Sequence, residues 1–137
     1  MVFNISYAFF AMPFGKLADR IGRIKSLSIA FAFFSAAFIG FSLVKEIWLA
    51  VVLLILYGIA TAGTDTIQRI IASEIVPKEK MTGSLGTYQG ITGIILLPAS
   101  VIAGSLWSFF GTKAAFGFSA ITSILAIALL YKVKQKE

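Results

Sequence analysis

Long stretches without a charged residue limit the fold of this chain more than any other feature. An α-helix needs about 20 predominantly apolar residues to cross a lipid bilayer. The sequence predicts four full transmembrane helices, over residues 26–44, 47–72, 85–107 and 114–131. Only 13% of the 137 residues are charged and 58% are hydrophobic, whereas soluble domains carry about 25% charged residues. We therefore expect an all-α integral membrane protein whose main surroundings are the lipid bilayer.

A shorter apolar segment, residues 1–15, precedes these four spans. At 1.5 Å per residue it reaches about 22 Å, which is less than the ~30 Å of a bilayer's hydrocarbon core. It has no positively charged start, so it does not follow the pattern of a signal peptide. We interpret it as a truncated fifth span, and we expect the chain to begin inside a longer membrane protein.

The basic residues fall mainly on one side of the predicted spans. The first, third and last connections (residues 16–25, 73–84 and 132–137) hold nine Lys and Arg, whereas the other side holds only Lys45 and Lys113. Because cytoplasmic loops carry an excess of Lys and Arg, we expect these connections and the C-terminus to be cytoplasmic, in a multi-pass protein of the plasma membrane. The net charge of +6 then reflects topology, and no nucleic-acid partner is expected.

The chain contains neither His nor Cys. A Ser-His-Asp or Cys-His nucleophile therefore cannot be assembled, and neither a thiolate nor an imidazole metal site is available. We expect no enzymatic activity, no cofactor and no metal centre.

The segment that reads GKLADRIGRIK, residues 15–25, is the strongest local motif. A tight turn between two helices explains its glycines, because Gly15 permits close helix approach and Gly22 permits a positive φ. Asp19 is the one acid among four bases, so it can pair with a neighbouring arginine or lie against a helix N-terminus. The candidate site residues of this segment are Gly15, Asp19, Arg20, Gly22 and Arg23.

The pattern G-x-L-x-D-R-x-G-R-x-K between two spans resembles the signature loop of the major facilitator superfamily of secondary transporters. In that family the loop joins the second and third helices and recurs in weaker form between the eighth and ninth. Four spans and a short basic tail follow the motif here, which resembles the end of helix eight through helix twelve. The alternative, helices two to six, would imply a long linker after the last span.

The second half of the chain is similar to the same part of that family. Residues 73–83 resemble the short loop between helices ten and eleven, although Lys80 and Met81 stand near the usual Arg position. The next span resembles the eleventh helix, rich in small residues with an internal proline. Small residues let helices in lipid pack closely, and such a span either moves during alternating access or simply packs. The candidate packing or hinge residues are Gly86, Gly90, Gly93, Pro98 and Gly104.

Ionisable residues within a span are functional candidates by default. Asp65 and Arg69 are four residues apart, so they share a helix face and can pair; Asp65 lies about 27 Å from the start of its span. With Gln68 and Glu74 they form either a cytoplasmic gate that exchanges partners with Asp19, or a static surface ion pair. Three further polar residues either line a cavity or make ordinary interhelical hydrogen bonds: Asn4, Tyr7 and Tyr57.

The resemblance implies transport of a small solute by alternating access. Such transporters build their substrate site between two six-helix halves, so four and a half spans would need the remaining helices, from the same longer chain or a partner chain, and would not transport alone. The alternative is a small membrane subunit without transport activity, or an inert remnant of a split gene. The sequence leaves the substrate open.

Overall fold

The computed structural model describes residues 1–75 and 81–134 of the chain. These residues form five helices and no strand, which confirms the all-α prediction. In chain order the helices are α1 (Val2–Ile21), α2 (Arg23–Leu43), α3 (Ile47–Ile75), α4 (Met81–Phe110) and α5 (Thr112–Lys134).

Four of the five helices, α2 to α5, are long and apolar enough to cross a membrane. Their backbone groups bond within each helix, as a bilayer requires, since lipid offers no hydrogen-bond partner. Helix α1 is not among the four, in agreement with the prediction of four full spans and one further, less complete apolar segment.

All of the predicted connection over residues 16–25 except Gly22 is helical. Lys, Arg and Leu are good helix formers, so α1 continues through the charged residues to Ile21. Within the predicted connection over 73–84, α3 continues to Ile75 and α4 begins at Met81. Where the membrane boundary falls along these helices stays a prediction. Residues 76–80 lie outside the described part. Residues 135–137 of the predicted tail also lie outside it, whereas residues 132–134 belong to α5.

Gly22 alone separates α1 from α2, with φ 89° and ψ 154°. Its N–H donates to the carbonyl oxygen of Ala18 at 3.1 Å, and its own carbonyl accepts from the N–H of Ser26 at 3.1 Å. The positive φ predicted for this glycine is therefore confirmed. Gly111, with φ 82°, is a similar one-residue joint between α4 and α5.

Helices α1, α2 and α3 pack together and form the core of the bundle. α5 lies against α2, whereas α4 lies at the edge against α5 and α3. The buried cluster consists of Phe14, Ala18, Leu27, Ala30 and Ile67.

Close helix contacts occur at three glycines that the sequence did not mark as candidates, Gly40 of α2, against the side chain of Leu53, and Gly58 and Gly63 of α3. A Cβ on Gly63 would lie 2.8 Å from the Cβ of Ala30 and 2.8 Å from the ring of Phe14. A Cβ on Gly58 would lie 2.9 Å from the backbone oxygen of Phe3. At Gly15, by contrast, it would make an ordinary contact of 3.8 Å, so the close approach predicted there does not require a glycine.

Serine and threonine hydroxyls within the helices bond to their own backbone. Thr64 donates to the carbonyl of Ala60 at 3.1 Å, and Ser35 to that of Phe31 at 3.0 Å. A buried hydroxyl without a partner is costly, and these bonds one turn back avoid that cost. Polar residues can therefore be scattered through apolar helices without each marking a site.

Candidate functional site

An acid and a tyrosine join α1 to α3. The hydroxyl of Tyr7 donates to Oδ2 of Asp65 at 3.2 Å, and both side chains are half-buried. Asp65 and Arg69, which their spacing would allow to pair, form no ion pair with each other in this structure. Spacing gives only neighbours on the same helix, whereas here the carboxylate accepts a bond from another helix.

A second tyrosine joins α4 to α3. The hydroxyl of Tyr88 donates to Oε1 of Gln68 at 3.0 Å. Thr92, one turn later on α4, donates to the backbone oxygen of Tyr88 at 2.8 Å. The sequence analysis did not single out Tyr88. The signal that marks it is a large polar side chain within a run of small residues.

Between these two helices lies a pocket of about 190 Å³, here called the α3–α4 pocket. Helix α3 provides one acid, one base and one amide to its wall, and α4 provides hydroxyl, amide and apolar groups. The lining residues are Asp65, Gln68, Arg69, Tyr88, Gln89, Thr92, Gly93 and Leu96. Three residues of the predicted charge network and one predicted packing glycine therefore share one pocket.

An ion pair links the start of α2 to the end of α3. A guanidinium nitrogen of Arg23 contacts Oε1 of Glu74, and both side chains are partly exposed, at 38% and 44%. The Nε of Arg23 is buried without a hydrogen-bond partner. Arg23 of the signature segment and Glu74 of the predicted network therefore meet. Asp19 is exposed and pairs with neither Arg20 nor Arg23.

The other candidate residues do not converge on the pocket. Asn4 is exposed. Tyr57 lies among aromatic rings, with centroids 5.4 Å from Phe34, 5.8 Å from Phe38 and 5.5 Å from Phe3. Its predicted role in a cavity stays a prediction.

The small residues of α4 have no partner helix in the described part of the chain. No atom of a neighbour lies within 4 Å of a Cβ placed on Gly86, Gly90, Gly93 or Gly104. The apolar window of α4 contains no buried residue, and the helix continues through Pro98. The packing or hinge role predicted for these residues stays a prediction.

Four apolar helices of spanning length, with one-residue turns at Gly22 and Gly111, define a multi-pass α-helical membrane protein. The sequence model of the Major Facilitator Superfamily matches residues 1–137. The chain therefore belongs to the major facilitator superfamily, as its signature segment indicated. This family is one of transporters and is generally not enzymatic.

Curated proteins that are similar to this chain include transporters of different kinds. An uncharacterized transporter of this family from Methanocaldococcus jannaschii is 32% identical over 95% of the chain and 32% of its own length. A vacuolar membrane amino acid uptake transporter of Schizosaccharomyces pombe is 29% identical over 93% of the chain and 22% of its length. A multidrug resistance protein of Rahnella is 30% identical over 99% of the chain and 34% of its length.

The chain thus spans about a third or less of the length of these relatives. No solved structure gave a significant match.

Proposed function

We propose that this chain takes part in the transport of a small solute across the plasma membrane, by alternating access. The observation that carries the proposal is its membership of a transporter family over its whole length. The family alone does not identify the solute, since one architecture serves many substrates. The relatives named above include an amino acid transporter and a multidrug resistance protein.

The helices act together with further helices, supplied by the same longer chain or by a partner chain. The chain corresponds to about a third of its relatives, and in this proposal α1 to α5 correspond to the end of helix eight through helix twelve. The exposed surface of α4, with its glycines and its side of the α3–α4 pocket, supports this proposal. A helix of small residues is suited to close packing in lipid.

The ion pair between Arg23 and Glu74 forms part of a gate at the cytoplasmic end. It joins the helix that starts at the signature segment to the end of α3. In the opposite state of the transport cycle, Asp19 becomes a partner of Arg23 in place of Glu74. A gate with two states needs such an exchange, because a contact that is equally strong in both states does not change their relative populations.

The test is a transport assay of Asp19→Asn in the complete protein reconstituted in proteoliposomes, with ethidium, a macrolide and a mixture of amino acids as solutes. We expect the unmodified protein to move at least one of them and Asp19→Asn to lose most of that activity, while its amount in the membrane is unchanged. Lys113→Gln, at the other end of the bundle, is the control for loss of one charge. Normal transport by Asp19→Asn would contradict the gate. A complete protein that moves no solute would favour the subunit without transport activity.

A further inference from the structure

The α3–α4 pocket holds one acid and one base that do not neutralise each other. Asp65 and Arg69 both line it, yet they form no ion pair. One oxygen of Asp65 accepts the hydroxyl of Tyr7, a neutral donor on α1. The pocket therefore offers a carboxylate and a guanidinium about one helical turn apart, and each can still bind a group of opposite charge.

Neutral polar groups complete the wall between these charges. Tyr88 donates to the amide oxygen of Gln68, which fixes the orientation of that amide. Gln89 and Thr92 face the same space from α4. A ligand with both charges would thus find some hydrogen-bonding groups beside its two ionic contacts, on a wall that is otherwise mainly apolar.

The pocket is small in the described part of the chain. About 190 Å³ is below the ~300–1,000 Å³ typical of sites for drug-sized molecules, so it suits a small ligand better than a drug-sized one.

We propose that the α3–α4 pocket binds a small zwitterion of the α-amino acid type, whose ammonium group contacts Asp65 and whose carboxylate contacts Arg69. This inference rests on the proposed function, because it names the class of solute for the same helices. The opposite charges of ligand and pocket cancel in pairs, so neither is left without a partner inside the pocket, where an unpaired charge is costly.

Binding is measured separately from transport, so that the two proposals can fail independently. The complete protein in nanodiscs is titrated calorimetrically with L-alanine, with propionate, which lacks the ammonium group, and with ethylamine, which lacks the carboxylate. We expect alanine to bind and each one-charge analogue to bind about 10- to 100-fold more weakly, the range for loss of one hydrogen bond to a charged group.

Two substitutions give opposite changes in ligand preference. Asp65→Asn keeps an oxygen for Tyr7 but removes the negative charge, so we expect alanine to lose its advantage over propionate. Arg69→Gln removes the positive charge, so we expect alanine to lose its advantage over ethylamine. A variant that only damaged the fold would weaken all three ligands together. Lys113→Gln, exposed on α5, is the matched control and should keep the preference for alanine.

Three results would overturn the zwitterion site. The first is that alanine does not bind to a protein that transports another solute. The second is that alanine and its one-charge analogues bind equally well. The third is that neither pocket variant changes the ligand preference. The first of these leaves the proposed transport function intact. Binding of alanine with the expected dependence on Asp65 and Arg69, in a protein that moves no solute, would support the site and count against transport.

Discussion

Gly22 has a backbone conformation that is nearly exclusive to glycine. With φ 89° and ψ 154°, any side chain would be strained there, although no neighbouring atom lies within 4 Å of a Cβ at this position. The requirement is therefore conformational and not one of space. Because α2 begins at the next residue, the strain of a larger residue would act on the angle between α1 and α2.

We expect Gly22→Ala to lower the free energy of unfolding by about 1–3 kcal/mol, the usual cost of a residue held in a sparsely populated backbone region. The measurement is thermal or denaturant unfolding of the detergent-solubilised protein. Gly83→Ala is the control, since Gly83 is exposed, helical and without a positive φ, and alanine is the better helix former. Equal effects of the two substitutions would contradict the conformational explanation.

Gly58 is required for a different reason, the space between α1 and α3. A Cβ there would lie 2.9 Å from the backbone oxygen of Phe3 and 2.9 Å from the Cβ of Ser6, and a backbone atom cannot move aside without the helix.

We therefore expect Gly58→Ala to separate the two helices and to destabilise the protein by about 1–3 kcal/mol, as overpacking does. Unfolding experiments compare it with Gly117→Ala on α5, where no neighbouring atom lies within 4 Å. If Gly117→Ala cost as much, general sensitivity to alanine rather than the α1–α3 contact would be the cause.

At the scale of helices, the ion pair between α2 and α3 distinguishes a gate from a static contact. Its partners are 38% and 44% exposed, and exposed pairs contribute only about 0–1 kcal/mol to stability. If breaking the pair strongly reduces transport, the cause is therefore a change in the transport cycle and not a loss of stability.

We expect Arg23→Glu and Glu74→Arg each to reduce transport strongly, because each places like charges together. The double variant, which restores opposite charges, should recover much of the activity. Unfolding of all three variants should differ from the unmodified protein by less than about 1 kcal/mol. Full activity of both single variants would identify the pair as a static surface contact.

The sequence predicted four spans because bilayer thickness sets their length, and it predicted the positive φ of Gly22 because glycine adopts that conformation more readily than other residues. It could not predict the partner of Asp65, since Tyr7 lies 58 residues away and only the packing of α1 on α3 brings them together. Close-packed glycines were likewise expected on α4, where small residues are frequent. That role of the α4 glycines stays a prediction, and the close contacts among the described residues occur at Gly40, Gly58 and Gly63, whose importance depends on what lies opposite.

At the scale of the whole molecule, the alternating ends of the helices predict which side of the membrane each joint faces. Arg23 and Glu74 meet at one end of the bundle, and Lys113 follows the joint between α4 and α5 at the opposite end. The excess of basic residues predicts that the first end is cytoplasmic.

Because the chain has no cysteine of its own, single cysteines can report this orientation. We expect Lys113→Cys to react with a membrane-impermeant maleimide in intact cells, and Lys25→Cys to react only after the cells are permeabilised. Both variants retain the excess of basic residues, so the topology should not change. The reverse pattern of labelling would show that the C-terminus faces outward.

The two glycine joints also have a consequence for how the protein is made. A single residue advances the chain by about 3.8 Å, so the second helix of each pair follows directly behind the first as it leaves the ribosome. We therefore expect α1 with α2, and α4 with α5, to insert into the membrane as hairpins. A substitution at Gly22 or Gly111 that disfavours the turn would therefore disturb the insertion of two helices at once.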